Sequence, residues 1–223
     1  MQGRRSPPKG LEFFPTPPWA TRAFLRHVLR PACTPLDLRG LRALDPCCGE
    51  GHMVDPLAEF FGPTFGSDVF DYGCGFAVED ALAPRRFHEA RVDFVATNPP
   101  FGKALEIVQS AIAAMEAGCL LGVAVLVRSA WLEGQERYAE LFNPAPPSIV
   151  APYVERVPMV EGRYDPKAST ATSYSWVTWL SGWRQARPEI WFIPPSRREM
   201  ETAADIRRWC APADAPLLDG ASA

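Results

Sequence analysis

The most constraining feature of this chain is a strand that has to stop. In Asp93-Phe94-Val95-Ala96-Thr97-Asn98-Pro99-Pro100-Phe101-Gly102 a short apolar run meets two consecutive prolines. Neither proline has an N–H to continue a sheet, and each pushes the residue before it towards an extended conformation. The strand therefore ends rigidly at Asn98. This leaves a side-chain amide at its carboxyl end, Pro carbonyls beside it that no local N–H is placed to satisfy, and an aromatic ring at Phe101. The same residues would also serve as a plain stiff turn between a strand and a helix.

As a site, Asn98 to Phe101 suit a planar ring bearing an amino group. An exocyclic amine on a heteroaromatic ring is a poor nucleophile because its lone pair is delocalised into the ring. Two acceptors, the Asn98 side-chain oxygen and the Pro99 carbonyl, would take both N–H bonds, favour a pyramidal nitrogen and stabilise the positive charge that develops as it attacks. Phe101 would stack on the ring.

At 223 residues the chain is long enough for one substantial domain with its own core. Its longest uncharged apolar run, residues 117–127, falls well short of the ~20 residues that span a bilayer, and a cytoplasmic protein with no membrane partner is expected. Six scattered cysteines without CxxC spacing, and three histidines, suggest neither a zinc site nor a disulfide framework. The net charge of −3 does not advertise a nucleic-acid binder, but residues 1–42 carry eight basic against two acidic side chains, and residues 45–93 three against ten. An acidic protein with a basic face is compatible with that asymmetry.

Residues 1–10 read as a flexible basic arm. Thr16 is a candidate N-cap with Pro17 at the first helical position, opening a helix to Leu29. Its Arg22, Arg26 and Arg30 repeat every four residues, as a solvated face or a phosphate contact. Arg42 to Asp45 reads as a first strand entering the turn Pro46-Cys47-Cys48-Gly49-Glu50-Gly51-His52, followed by an amphipathic helix from about Met53. Strand, Gly-rich turn and helix form the nucleotide-binding arrangement of a doubly wound sheet, in which Gly49 and Gly51 let a ligand approach the backbone. Val54 stands where the third glycine of the dinucleotide fingerprint would be, so that fingerprint is not matched.

Residues 63–69 read as a second strand ending at Asp68, placed either to accept from both hydroxyls of a ribose, with Val69 against an adenine, or as a turn or cap residue. A third short strand has Asp80 near its end. Positions 104, 107, 108, 111, 112 and 115 form a helical stripe, and residues 120–128 a strand apolar enough to be covered on both faces. Two further strands, 148–154 and 174–180, flank a long loop at 156–170, and 189–193 reads as a last strand or an extended arm.

Taken in order, Phe14-Pro15-Thr16-Pro17, Asp45-Pro46-Cys47-Cys48-Gly49-Glu50-Gly51, Asp68, Asp80 and Asn98-Pro99-Pro100-Phe101 resemble the class I S-adenosylmethionine-dependent methyltransferases. The resemblance is to the DNA adenine-N6 amino-methyltransferases of the kind encoded singly by phages and prophages, and it covers roughly residues 11–183. It implies an α/β fold: a seven-stranded, mostly parallel Rossmann-like sheet with helices on both faces. The methyltransferase domain is expected over 11–195, and the Pro- and Ala-rich residues 196–223 read as a mostly extended or disordered tail with at most one short helix around Ala203 to Trp209.

For the site, the resemblance implies that Asp45 and the backbone at Cys48 to Gly51 hold the methionine part of S-adenosylmethionine, with Phe14, Thr16 and Pro17 closing over its other side. Asp68 would hold the ribose, and Asp80 the adenine amino group, with Val69 and Pro100 packed on that ring. Asn98, Pro99 and Phe101 would hold the target base, flipped out of a duplex. Methyl transfer would be direct, without a metal or a covalent intermediate. In the 156–173 loop, Tyr164 is a candidate second aromatic wall, and Arg163 and Lys167 candidate phosphate contacts; a flexible surface loop would look much the same.

Enzymes with this motif order usually append a sizeable recognition domain, whereas about forty residues follow the 174–180 strand. Recognition is then expected from short loops, from a homodimer or separate specificity partner, or is low. The basic series Arg184, Arg187, Arg197, Arg198, Arg207 and Arg208 would supply phosphate contacts or form a solvated tail. The alternatives left open are a ribosomal RNA base or a release-factor glutamine methylated with the same chemistry. A non-catalytic nucleic-acid-binding protein on this fold is a third.

Overall fold

A computed structural model describes residues 11–183 and 187–210. The expected flexible arm at 1–10, Arg184 and the tail beyond 210 lie outside the described residues. Eight strands form one sheet: β1 (Ala43–Asp45), β2 (Thr64–Asp68), β3 (Ala77–Val78), β4 (Phe94–Thr97), β5 (Gly122–Arg128), β6 (Ile149–Pro152), β7 (Tyr174–Leu180) and β8 (Glu189–Ile190). Their order across the sheet is β3-β2-β1-β4-β5-β7-β6-β8. The helices are α1 (Pro18–Phe24), which continues as a π-helical turn Leu25–Leu29 into α2 (Arg30–Ala32), then α3 (Val54–Ala58), α4 (Arg86–Glu89), α5 (Ala104–Glu116), α6 (Gln135–Arg137), α7 (Arg197–Met200) and α8 (Ala203–Trp209).

The expected sheet is corrected in two respects. It has eight strands, the last being a two-residue strand added parallel to β6. β7 runs antiparallel to both neighbours, β5 and β6, while the remaining pairings are parallel. Such a mixed sheet lets β5 and β7 pair along seven residues each, from Gly122↔Leu180 to Arg128↔Tyr174.

Period-two alternation assigns the two faces. Phe94, Ala96, Ala124, Leu126 and Trp176 point to the side covered by α1 and α3. Val95 and Val123 face α5 and α4, and Val125, Val127 and Val177 extend that layer towards Val108 and Ile112 of α5. On the first face Phe24 stacks on Trp176 at 4.1 Å and 12°. Nearby, the buried Tyr153 hydroxyl accepts from Trp176 Nε1 at 2.7 Å and donates to the Ala20 carbonyl at 2.6 Å, so it leaves neither buried polar neighbour unpaired.

Helix α1 begins one residue later than its capping signal suggests. Pro17 holds the cap position and Pro18 the first turn, no side chain caps the helix, and the Thr16 hydroxyl is buried without a partner. Arg22, expected on a solvated face or a phosphate, is instead a clamp: its guanidinium donates to Glu59, to Asp205 and to the Met200 carbonyl. That contact belongs with a second correction. The tail from 196, expected to be mostly extended with at most one short helix around Ala203 to Trp209, carries that helix and a further one at Arg197–Met200, with Met200 and Trp209 buried. Thr202 and Asp205 form a reciprocal capping box that starts α8, and Trp209 lies 4.0 Å from the His52 ring.

Candidate active site

The strand order brings four sequence-distant side chains to one edge. Asp45 ends β1, Asp68 ends β2, Asp80 lies two residues beyond β3, and Asn98 immediately follows β4. These strands are adjacent and parallel, so all four side chains stand outside the carboxyl ends of the sheet. Between β1 and β4 the chain order reverses direction across the sheet, the point at which open α/β sheets bind ligands. A cleft of about 480 Å³ opens there, within the range of small-molecule sites. Phe14, Thr16, Asp45, Cys48, Asp68, Val69, Asp80, Asn98, Pro99, Pro100 and Phe101 all line it.

Asn98 is the most informative of these. Its Nδ2 donates to the Phe14 carbonyl at 2.9 Å and lies 3.6 Å from the Met159 sulfur. A carbonyl can only accept, so this bond fixes which way round the amide stands. Oδ1 is left buried with no partner. Leaving a buried acceptor unpaired costs roughly 1–3 kcal/mol, and a donor entering the cleft would recover that cost. Phe101 stands beside it, its ring 5.5 Å from Phe14 and under the Arg128 guanidinium at 4.0 Å.

Asp45 is almost fully buried, and Oδ1 accepts from Cys47 N at 3.2 Å. Burial pushes its carboxyl up to about 7, with the charge of Asp68 adding to the effect and the Cys47 N–H opposing it. Burial also raises Asp68, against hydrogen bonds from Gly49 N at 2.8 Å and Phe70 N at 3.1 Å. Asp68 therefore locks the glycine turn while retaining lone pairs for a ligand. Asp80, exposed at the rim, accepts from Leu82 N at 2.8 Å.

Gly49, Gly51 and Pro17 stand differently from expectation. Gly49 and Gly51 do not line the cleft. Both have positive φ, and the space of a Cβ is taken by rings of this chain: Phe13 at 2.3 Å from the Gly49 position and Phe76 at 2.5 Å from that of Gly51. Pro17 starts the helix and is not part of the lining. In the 156–173 loop, Tyr164 is buried and bonded to Glu201 instead of standing as a wall of the cleft. Arg163 pairs with Asp165, whose other oxygen accepts from Lys167 N. The loop reaches the site through Met159 instead.

Residues missed in the sequence reading complete the picture. Glu12 lines the cleft and accepts from Phe101 N, and the Phe13 carbonyl accepts from Gly162 N at 2.8 Å. With Phe14 on Asn98, residues 12–14 form a strap pinned in succession to the amine site and to the 156–173 loop. His52, Tyr72, Leu82 and Ile107 add lining. Ile107 belongs to the apolar stripe of α5, but no local pattern marks Glu12 or Met159.

No protein-family model and no curated protein matches the sequence. Solved structures do match. A modification subunit assigned to a type I restriction enzyme of Vibrio vulnificus YJ016 superposes with a TM-score of 0.54 at 18% identity, over 90% of this chain and 52% of that one. The fold is that of the methyltransferases. A type I restriction-modification methyltransferase subunit from Streptococcus thermophilus gives 0.53 at 14% identity, over 92% and 52% of the two chains. A protein assigned as an RNA methyltransferase from Pyrococcus horikoshii gives 0.51 at 15%, over 81% and 93%. This chain thus spans about half the length of the two restriction-modification subunits. Among the described residues no helix is long and apolar enough to cross a membrane.

Proposed function

We propose that the chain transfers a methyl group from S-adenosylmethionine to the N6 amino group of adenine in DNA, taken out of the duplex. The observation that carries this reading is Asn98 Oδ1, a buried acceptor without a partner whose amide is held the right way round by Phe14. It calls for an N–H donor beside an aromatic ring, which is what an adenine amino group offers at Phe101.

The residues present fit the cofactor. The cleft is large enough, and it pairs a buried carboxyl at Asp45 with two further acids at Asp68 and Asp80. In this reading Asp45 receives the ammonium of the methionine part and Asp68 the ribose hydroxyls. Asp80 accepts from the cofactor's adenine amine, with Val69 and Pro100 against its ring, and Phe14 and Thr16 close over the other side. When bound, S-adenosylmethionine supplies an electrophilic methyl group on a sulfonium.

The protein's own contribution is positioning and electrostatics. Asn98 Oδ1 and the Pro99 carbonyl orient the amine and stabilise its developing positive charge. Phe101 holds the plane of the base. The strap and Met159 keep water from the amide.

The test is radiolabelled methyl transfer to unmethylated duplex DNA, with nucleoside digestion of the product and Asn98→Ala in parallel. Label is expected as N6-methyladenine, falling at least a hundredfold in Asn98→Ala, the scale on which single polar stabilising groups act. Cofactor binding without any DNA label would overturn the DNA assignment; label in ribosomal RNA or in a release-factor glutamine would then name the substrate.

A further inference from the structure

We infer that Arg128 and Arg156 form a phosphate clamp at the mouth of the base site, gripping the polynucleotide backbone beside the displaced nucleotide. The inference rests on the nucleic-acid reading above and moves the phosphate contact away from the loop cations Arg163 and Lys167.

Arg128 is the last residue of β5 and the only exposed one in that strand. It emerges at the same end of the sheet as Asn98, because β4 and β5 are parallel neighbours. Its guanidinium lies 4.0 Å over the Phe101 ring, yet it does not line the cleft. It therefore backs the amine-site aromatic from outside, at the rim.

Arg156 reaches the same corner from the other side. Its guanidinium donates to Ser173 Oγ, while the Ser173 carbonyl accepts from Ser129 N at 2.8 Å. Arg128 is in register with Tyr174, the next residue. Three residues after Arg156, Met159 touches the Asn98 amide. Two exposed guanidinium groups thus flank one short corner, Ser129 with Ser173–Tyr174, next to the residues that hold the target amine.

Among the described residues no carboxylate pairs with Arg128 or Arg156, whereas Arg22, Arg26, Arg42, Arg86, Arg163 and Arg197 each have one. Arg128 also meets the Tyr174 hydroxyl and Arg156 the Ser173 hydroxyl, neutral partners that leave further N–H donors of each planar, five-donor guanidinium for a phosphate. A nucleotide turned into the cleft exposes phosphates where its sugar leaves the duplex path, which is at this mouth.

The experiment measures equilibrium binding of a fluorescent unmethylated duplex across a salt series for the full chain, Arg128→Ala, Arg156→Ala, the double variant, and Arg30→Ala as a remote exposed control. Circular dichroism and S-adenosylhomocysteine affinity check folding. Each lost phosphate contact lowers the steepness of log K against log salt by about 0.9. The double variant should therefore lose roughly tenfold of the affinity ratio between 50 and 200 mM salt, with cofactor affinity and Arg30→Ala unchanged. Arg128→Lys, which keeps the charge, should restore most of the salt slope.

An unaltered slope in a folded double variant that still binds DNA would overturn the clamp and leave the nucleic-acid reading standing. Absence of salt-dependent DNA binding in the parent chain would overturn both.

Discussion

Asp45→Asn separates the chemistry of the cleft from its architecture. The carboxyl is 2% exposed and pushed up to about 7 from an ordinary 3.8, with burial as the main cause. An acid whose folded-state value lies above its unfolded one stabilises the fold fully only below the unfolded value. That stability is lost as pH rises through the folded one, because in between the native state binds the proton and the unfolded chain does not. The window is therefore about pH 4 to 7, and the loss at ~1.4 kcal/mol per pH unit is roughly 4 kcal/mol. That is a large part of the ~5–15 kcal/mol that holds a domain together.

In the ligand-free protein, thermal unfolding followed by circular dichroism should show a melting point that falls between pH 4.5 and 8. Asp45→Asn, which has no proton to lose, should be flatter and melt higher at pH 8, by up to ~10 °C for a chain of this size. Cofactor binding should run the other way. If Asp45 receives an ammonium it must be ionised, so affinity for S-adenosylhomocysteine should weaken about tenfold from pH 8 to pH 6. In Asp45→Asn it should be weak and pH-independent. Parallel stability profiles for parent and variant from pH 4.5 to 8 would refute the reasoning, since they would mean that Asp45 is already ionised in the fold.

Two further perturbations probe the surroundings. Gly49→Ala places a Cβ 2.3 Å from the Phe13 ring on a residue with φ of +53°; a loss of roughly 2 kcal/mol is expected from backbone strain and the displaced strap. Adding Phe13→Ala should relieve the steric part in a double-mutant cycle read by urea denaturation; additive losses would show that the ring is not the obstacle. Trp209→Ala should cost about 3 kcal/mol. It should also weaken S-adenosylhomocysteine binding measured by calorimetry, because Trp209 packs on His52 and His52 lines the cleft; unchanged binding in a destabilised variant would uncouple α8 from the site.

Much of the site was legible because each key side chain is punctuated locally. Asp45 precedes a Pro and a Gly-rich turn, and Asn98 precedes two prolines; strands that must stop announce the residue that follows them. The nearly continuous apolar run of β5 likewise reads directly as burial on both faces. What was not legible depends on partners far along the chain. Residues 189–193 could be read only as a last strand or an extended arm, because the two-residue β8 exists through Ser148 and Val150 carbonyls that accept from Glu189 and Trp191, some forty positions away. Helix α8 could be read only as a possible short helix and α7 not at all, because both are too short to be stable alone and form against Arg22 and His52, whose spacing gives no sign of a docking site. The arginine repeat on α1 looked uniform, but burial distinguishes its members: Arg22 is held by two acids, Arg26 pairs at the surface with Glu199, and Arg30 is exposed.

The strap shows why the two halves of the cleft belong to one device. Residues 12–14 lie over a turn whose glycine accommodates Phe13, and that turn is locked by Asp68. The next carbonyl, from Phe14, orients Asn98, while Glu12 holds the Phe101 N–H. Displacing the strap would therefore disturb the cover of the Asp45–Asp68 half and release the Asn98 amide in a single movement. Occupying that half, in contrast, would hold Asn98 Oδ1 towards an incoming amine. The sheet order makes this coupling short: β1 and β4 are hydrogen-bonded neighbours, so the acid at the end of one and the amide at the end of the other stand side by side, and three residues suffice to bridge them.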